Sequence, residues 1–395
     1  MEVRAAAEDD LEQIVSLQVE RNGPECDAMV RALWVDPACG PRRFTVAVDG
    51  GGVVSSLCLI PGTMELAGTA VPFGQPEFVA TAPSHEHRGL VRRQLDLVHR
   101  WSAEDGHLMQ LIAGIPYFYR RFGYEYAIEM PPVRLVIPGV DLAMPEGWSV
   151  RPARSDDIPI IMDLERDVQS LSELSAARLA TWWRWWMESG EQAVPHVAER
   201  QGVIEASASI GEGPPGMAKD VVALSLVAGR HPDGLTALLA CAAGAGKPLA
   251  ILERPGLAST GHPLSQRHPR RYALYVRVAD PVVLLNHLRP VLSRRLKASP
   301  YAAASGQLLL SLYTRSMVVS YEAGEVTSVE GGPPEQDATG RGGAGLPPDL
   351  IATLICGRYG AMGLAEGHDD VRLGRQAVLV DTLFPKMTSD IVLSM

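Results

Sequence analysis

The sequence predicts an α+β protein of three domains, the second a copy of the first. Three observations carry this. Val3-Arg4-Ala5-Ala6-Ala7-Glu8-Asp9-Asp10-Leu11 returns as Val150-Arg151-Pro152-Ala153-Arg154-Ser155-Asp156-Asp157-Ile158, an offset of 147 residues, and the match continues from Ile14 to Ile161 and from Leu17 to Leu164. Residues 78–124 read as strand, glycine-bearing turn, helix and strand. From Tyr272 the pattern changes and the repeat is lost. The expected domains are 1–146, 147–271 and 272–395.

The first copy opens on a short strand at Val3. Glu8-Asp9-Asp10 suits the positive end of a helix dipole, and Leu11, Ile14, Val15 and Leu17 form most of a buried helical stripe. A second helix is expected over Glu25–Trp34. Thr45–Val48, Val53–Ile60 and Thr63–Leu66 alternate or run apolar between glycines, so they read as a three-strand antiparallel meander. Phe78–Ala82 reads as a buried strand stopped by Pro83. Leu90, Leu95, Val98 and Trp101 recur at helical spacing up to Gly106, a C-terminal stop. Leu108–Ile112 is the next strand.

In the second copy an apolar run at Val221–Val227 leads through Arg230, His231, Pro232 and Gly234 into a helix over Leu235–Ala243. Pro232 removes an N–H from the place where a ligand would need one. This copy is expected to be structural. Trp182-Trp183-Arg184-Trp185-Trp186 covers most of a helix circumference, which reads as a helix wedged between domains in preference to a ligand cage. In the third domain, Tyr272–Val278, Leu308–Tyr313 and Ser316–Tyr321 read as strands, and Asp280–Leu296 and Leu350–Tyr359 as helices. Val326–Pro348 is rich in Gly, Pro and charge and reads as a loop.

Composition narrows the function. The 395 residues are 46% hydrophobic and 21% charged, with a net charge of −10. That charge argues against bulk binding of nucleic acid or anionic membranes. Five scattered cysteines and no Cys-x-x-Cys fit a reduced compartment. The N-terminus has no signal-peptide pattern, and no apolar run reaches membrane-spanning length, so a cytoplasmic location is expected. The ten histidines show no metal spacing, and His85 and His87 have no further ligand to complete a site. No metal is expected.

The chemistry concentrates in residues 78–124. A strand feeding a helix through a glycine-bearing turn leaves backbone N–H groups free at the helix start, and those suit a pyrophosphate. Gly89 lets the backbone approach closely, while Arg88, Arg92 and Arg93 add positive charge. Pro83, His85, Arg88, Gly89 and Leu90, followed by Tyr119-x-Arg121-Phe122-Gly123-Tyr124, resemble the enhanced intracellular survival (Eis) family of the GNAT acetyltransferase superfamily. Glu86, Thr81 and Val91 depart from that family's pattern.

The resemblance implies two tandem GNAT-like domains, the first active, and a C-terminal sterol-carrier-protein-like α+β domain. It implies acetyl-CoA as co-substrate, held by Val79, Ala80, Thr81, His87, Arg88, Gly89, Leu90, Val91, Arg92, Gly114 and Ile115. Tyr119 would be the acid that protonates the leaving thiolate, with Tyr117 its competitor for that role. The carboxylate of Met395 would be the base. Glu25, Asp27 and Trp34 would border a pocket for a small cationic amine, although a solvated helix face and a core tryptophan read equally well from the residues alone. The family also implies a homo-oligomer, a trimer or hexamer. Two rival readings remain open at this level. One is a degenerate acetyltransferase that binds CoA or a ligand as a regulator, and the other is a lipid or small-molecule carrier working through the third domain.

Overall fold

The computed structural model describes residues 1–130, 132–136, 142–176, 178, 180–188, 193–212, 221–244, 246–255, 264–267 and 272–391. They divide into two compact units. One joins Met1–Glu129 to Ala273–Thr388, and the other joins Met130–Tyr272 to the segment from Ser389.

In chain order the first copy comprises β1 (Glu2–Ala5), α1 (Leu11–Asn22), α2 (Cys26–Val35), β2 (Phe44–Asp49), β3 (Gly52–Leu66), β4 (Thr69–Thr81), α3 (Leu90–Glu104), β5 (Met109–Ile112) and β6 (Glu125–Glu129). The second unit follows with β7 (Val133–Val136), β8 (Trp148–Pro152), α4 (Ile158–Gln169), β9 (Leu174–Ser175), α5 (Ala180–Glu188), β10 (Ala193–Arg200), β11 (Val203–Glu212), β12 (Val222–Gly229), α6 (Pro232–Ala243), β13 (Leu249–Leu252) and β14 (Leu264–Arg267). The remainder is β15 (Ala273–Val278), α7 (Pro281–His287), α8 (Arg289–Lys297), β16 (Gly306–Ser311), β17 (Ser316–Glu322), β18 (Glu325–Gly332), β19 (Ala344–Gly345), α9 (Ile351–Ile355), α10 (Gly360–Gly367), β20 (Arg372–Leu373), α11 (Ala377–Leu383) and β21 (Ser389–Asp390).

The first sheet runs β1-β2-β3-β4-β5-β15-β6, the second β14-β7-β13-β12-β11-β10-β8, and the third β18-β17-β16-β19-β20. The repeat is real at the level of atoms. Arg4 clamps Asp10 through both guanidinium nitrogens (2.6 and 3.1 Å), and Arg151 clamps Asp157 in the same way (2.7 and 3.0 Å). Each aspartate also accepts the N–H three residues earlier, from Ala7 and from Arg154, at 2.7 Å. The carboxylate thus ends a strand and starts a helix at once.

Several expectations need correction. The second and third strands of the expected meander are one strand, β3, because Pro61 and Gly62 lie within it and a side chain at Gly62 would strike the Phe73 ring. The true reversal is at Ala67–Gly68, both with positive φ (47° and 78°), a two-residue hairpin turn. The strand expected at Phe78–Ala82 is the end of the longer β4. The strand expected to open the third domain, β15, lies instead between β5 and β6 of the first sheet. The helix expected over Asp280–Leu296 is two helices meeting at Leu288, with Pro290 starting the second. The helix expected over Leu350–Tyr359 holds only at Ile351–Ile355. Part of the expected loop after Val326 is strand β18, paired along β17 through the turn at Ala323–Gly324. Of the tryptophans in α5, Trp183 packs into the second unit's core with Ile158, Ile161, Val197 and Leu226, and Trp182 stacks on Trp186 at 4.9 Å.

Candidate active site

Parallel pairing between β4 and β5 spans only Phe73↔Met109 and Gly74↔Gln110. Beyond Gly74, β4 continues for seven residues, Gln75–Thr81, along β3 alone, while β5 keeps its other partner β15. The two central strands therefore part and leave one edge of β4 open. Pro76 sits in that half of the strand, where a missing N–H is tolerated. A bulge deepens the fork. Phe78 has φ 53°, and the register against β3 slips between Ser56 and Cys58. The bulge is held from behind, since Gln18 on α1 donates to the Phe78 carbonyl at 2.5 Å and to Ser56 Oγ at 2.7 Å.

The turn after β4 ends on Gly89, the N-cap of α3, with φ 72° and open space around its Cα. No side chain caps this helix, so its first N–H groups face outward with the positive end of the dipole. His87 also has positive φ (63°). The residues under the turn form a closed polar set. Ser55 Oγ shares its one proton between Ala80 O (2.8 Å) and Gln94 Oε1 (2.6 Å), and Gln94 Nε2 donates to Thr45 Oγ1 (3.0 Å). Buried groups satisfied in this way hold the turn rigid.

Tyr119 lies on a short 3-10 turn between two left-handed residues, Tyr117 (φ 68°) and Gly123 (φ 83°). Its ring is buried among Ile112, Tyr124 and Tyr275, edge-on to Phe118 at 5.1 Å. Gly114 lies flat against that ring, and any Cβ there would overlap it. β15 contributes Tyr275, whose hydroxyl accepts the Tyr117 N–H at 2.7 Å.

A fork between central strands, a bulge at its mouth and a glycine-capped helix beside it suit an acyl thioester with a pyrophosphate tail. Residues 2–127 match the family model described as an acetyltransferase (GNAT) domain. The first copy is a GNAT domain. Over the whole chain the fold is similar to three solved structures. One is a protein of unknown function from Enterococcus faecalis, a probable N-acyltransferase (TM-score 0.73, 11% identity, 99% of both chains covered). Another is a GCN5-related N-acetyltransferase from Anabaena variabilis (TM-score 0.71, 12% identity, 97% of this chain and 96% of that one). The third is Eis1 from Mycobacterium abscessus (TM-score 0.65, 12% identity, 99% and 97%). At these identities the likeness is one of fold. No curated protein matches the chain in sequence.

The GNAT domain gathers most of the residues singled out in the sequence. Val79, Ala80 and Thr81 form the open end of β4, and His87, Arg88, Gly89, Leu90, Val91 and Arg92 form the turn and first helical turn. Arg92 is held over the Phe122 ring at 5.0 Å, which joins the turn to the tyrosine motif. Leu90 is buried, and Val91 packs with the core under α3. Gly114 is buried, whereas Ile115 is exposed. Glu86 points to α1 and pairs with Arg21 at 2.7 Å, so the turn's one carboxylate is neutralised.

The expected amine-pocket residues are less uniform. Trp34 is a core residue packed on Phe44 at 5.2 Å. Asp27 is engaged by Arg31, which also bridges to Glu12. Glu25 folds over Gly23. Met395 lies outside the described residues. Tyr117 is exposed where Tyr119 is buried, and its ring lies under Arg120 at 6.0 Å.

Two titratable groups escaped the sequence reading. His99 Nε2 lies 2.8 Å from the Tyr124 hydroxyl, and burial, helped by Arg277, lowers its pKa to about 3, so the ring is neutral. Burial likewise raises the Tyr124 phenol. Glu77 lies on β4 just before the bulge, and burial pushes its carboxyl up to about 7. No described helix is long and apolar enough to cross a membrane. Among the described residues no group of three His, Cys, Asp or Glu side chains could hold a metal ion.

Proposed function

We infer that the protein is an acetyl-CoA-dependent N-acetyltransferase of Eis type, acting on a primary amine of a small cationic molecule. The carrying observation is the fork itself: β4 and β5 part beyond Gly74, and a helix capped by Gly89 starts beside the opening. A thioester lying in the fork can hydrogen-bond to the free edge of β4, and its pyrophosphate can reach the N–H groups of α3. The amine then attacks the carbonyl, and edge N–H groups are placed to receive the developing oxyanion. Tyr119, fixed by Gly114 and its aromatic neighbours, serves as the acid for the departing thiolate. A phenol with an ordinary pKa of about 10 is a fair match for a thiol.

Calorimetric titration with acetyl-CoA tests this. The native protein is expected to bind, and Gly89→Glu to abolish binding, because the new carboxylate meets the phosphates and the position requires positive φ. A native protein that is folded and takes up no acetyl-CoA would sink the reading.

A further inference from the structure

Between β5 and the turn that carries Tyr119 runs a short lip, Ala113–Tyr117, with a strained residue at its end. Tyr117 has φ 68°, a left-handed conformation that a bulky side chain rarely adopts. Such a residue persists only where its surroundings hold it. Its own side chain does not supply the hold, since Ile115 and Tyr117 are 64% and 70% exposed.

The hold comes from Tyr275. The Tyr117 N–H donates to the Tyr275 hydroxyl at 2.7 Å, and the same oxygen lies 3.5 Å from Ile115 O. One hydroxyl therefore meets both ends of the Ile115–Tyr117 lip. Tyr275 is fully buried, and that burial raises its phenol above the ordinary value, so it stays protonated. On β15 it pairs with Ile112 of β5 and Tyr126 of β6. Its ring stacks on Tyr126 at 3.9 Å and lies 5.8 Å from the Tyr119 ring. Tyr126 is anchored in turn, because its carbonyl accepts Thr353 Oγ1 and Arg358 Nη1, each at 3.1 Å. Val79, from the open end of β4, packs against the same cluster. Gly114 at the start of the lip and Tyr275 behind it thus fix the Tyr119 ring beside the strand that offers its free edge to the thioester. Tyr275 is not itself the acid, because its oxygen is buried and taken up by the lip.

We propose that Tyr275 is the positioning residue for Tyr119: its hydroxyl holds the left-handed turn at Tyr117 and its ring backs the Tyr119 ring, so that the Tyr119 phenol stays where it can protonate the thiolate. This rests on the acetyltransferase reading. Misplacing a reacting group by about an ångström can cost about 10²-fold in rate, so a single hydroxyl behind the acid is worth having. The acid of the first copy is thereby completed by a strand that follows the second unit in the chain.

The test is a double-mutant cycle with Tyr119, run on the full chain with acetyl-CoA and the fastest amine among cadaverine, spermidine and kanamycin. Tyr275→Phe removes the hydroxyl and keeps the ring. It should lower kcat about tenfold while calorimetric binding of acetyl-CoA stays within about twofold of native. In a Tyr119→Phe background the same substitution should cost less than about twofold, since the group it positions is already gone. A merely structural role would slow both backgrounds alike. Tyr117→Gly added to Tyr275→Phe should recover most of the loss, because glycine takes positive φ without a hold. Where Tyr275→Phe alone is too unstable to assay, that pair decides: a folded, active pair supports the proposal, and a pair that still fails to fold overturns it. Equal losses in the two backgrounds, or a Tyr275→Phe kcat within twofold of native, also overturn it while native turnover keeps the acetyltransferase reading. Native protein that neither binds acetyl-CoA nor acetylates an amine overturns both.

Discussion

Gln18 on α1 and Glu165 on α4 occupy the same place in the repeat, 147 residues apart, and their surroundings differ. In the first copy Gln18 donates to the carbonyl of the bulge residue Phe78 and to Ser56. In the second, β12 carries a bulge of its own at Leu226 (φ 51°), with a register slip between Ser207 and Ser209. Here Glu165 does not reach the bulge directly. Arg254 is interposed, donating to Val227 O at 3.2 Å, to Glu165, and to Asp390 on β21 at 2.5 and 3.0 Å. Arg178 adds a further contact to Glu165 at 2.5 Å. Where β12 and β13 part beyond Leu224↔Ile251, the second unit therefore holds a buried ion cluster. The turn before α6 is also closed. Pro232 begins the helix, and His231 caps it by accepting the Asp233 N–H at 3.1 Å. One copy leaves its fork and helix start open, and the other fills both. A glutamine-to-glutamate difference at one helical position goes with an arginine that donates to the carbonyl beside the bulge.

The comparison can be broken from its strongest side first. Arg254→Ala leaves Glu165 and Asp390 buried with one partner fewer, so the second unit should lose about 3–5 kcal/mol. Chemical denaturation followed by tryptophan fluorescence would show it, and a loss below about 1 kcal/mol would mean that the cluster is not what closes this fork. Gln18→Glu imposes the second copy's residue on the first without its arginine. A carboxylate facing the Phe78 carbonyl should destabilise the first unit by about 3 kcal/mol at neutral pH. A smaller effect there would mean that the bulge needs no donor.

Tyr119→Phe sharpens the contrast in function. It keeps the ring that Gly114 and Tyr275 pack against, so thermal stability should hold while kcat falls about 10²-fold, equivalent to ~2.7 kcal/mol. Unaltered turnover would return the acid role to another group. The smallest effect concerns what the copies share. Arg4→Ala and Arg151→Ala should each lose about 1 kcal/mol or less, and by similar amounts, since both guanidinia are partly exposed and screened. The Arg4 hydrogen bond depresses Asp10 below the usual carboxylate range, as Arg151 depresses Asp157. Folded values below unfolded ones mean the stabilisation is complete above the unfolded pKa of about 4. It is lost as pH falls through the depressed folded values. Urea midpoints of each variant should therefore approach those of the native protein in acid. A gap that persists there would show that the clamp works by packing instead of charge.

The repeat, the helix starts at Asp10 and Asp157, and the turn from Pro83 to Gly89 with its helix are legible in the residues themselves. Each rests on local rules, since a capping carboxylate, a proline and a glycine act on neighbours a few residues away. The tyrosine motif was legible for the same reason. What depends on strand pairing is not written locally. β15 enters the first sheet from 144 residues beyond β6's Glu129 because the open flank of β5 needs a partner, and nothing in Ala273–Val278 says which sheet it will join. Glu77 is not legible as a strand residue because the sequence marks a strand only from Phe78, whereas β4 runs from Thr69. A carboxylate next to a strand reads as a surface residue until the pairing half-buries it. Arg254 and Glu165 lie 89 positions apart, and their charges only form a cluster once α4 and β13 are packed together. Local chemistry is written in neighbouring residues, whereas the burial that shifts a carboxyl or fills a fork is a property of the assembled sheet.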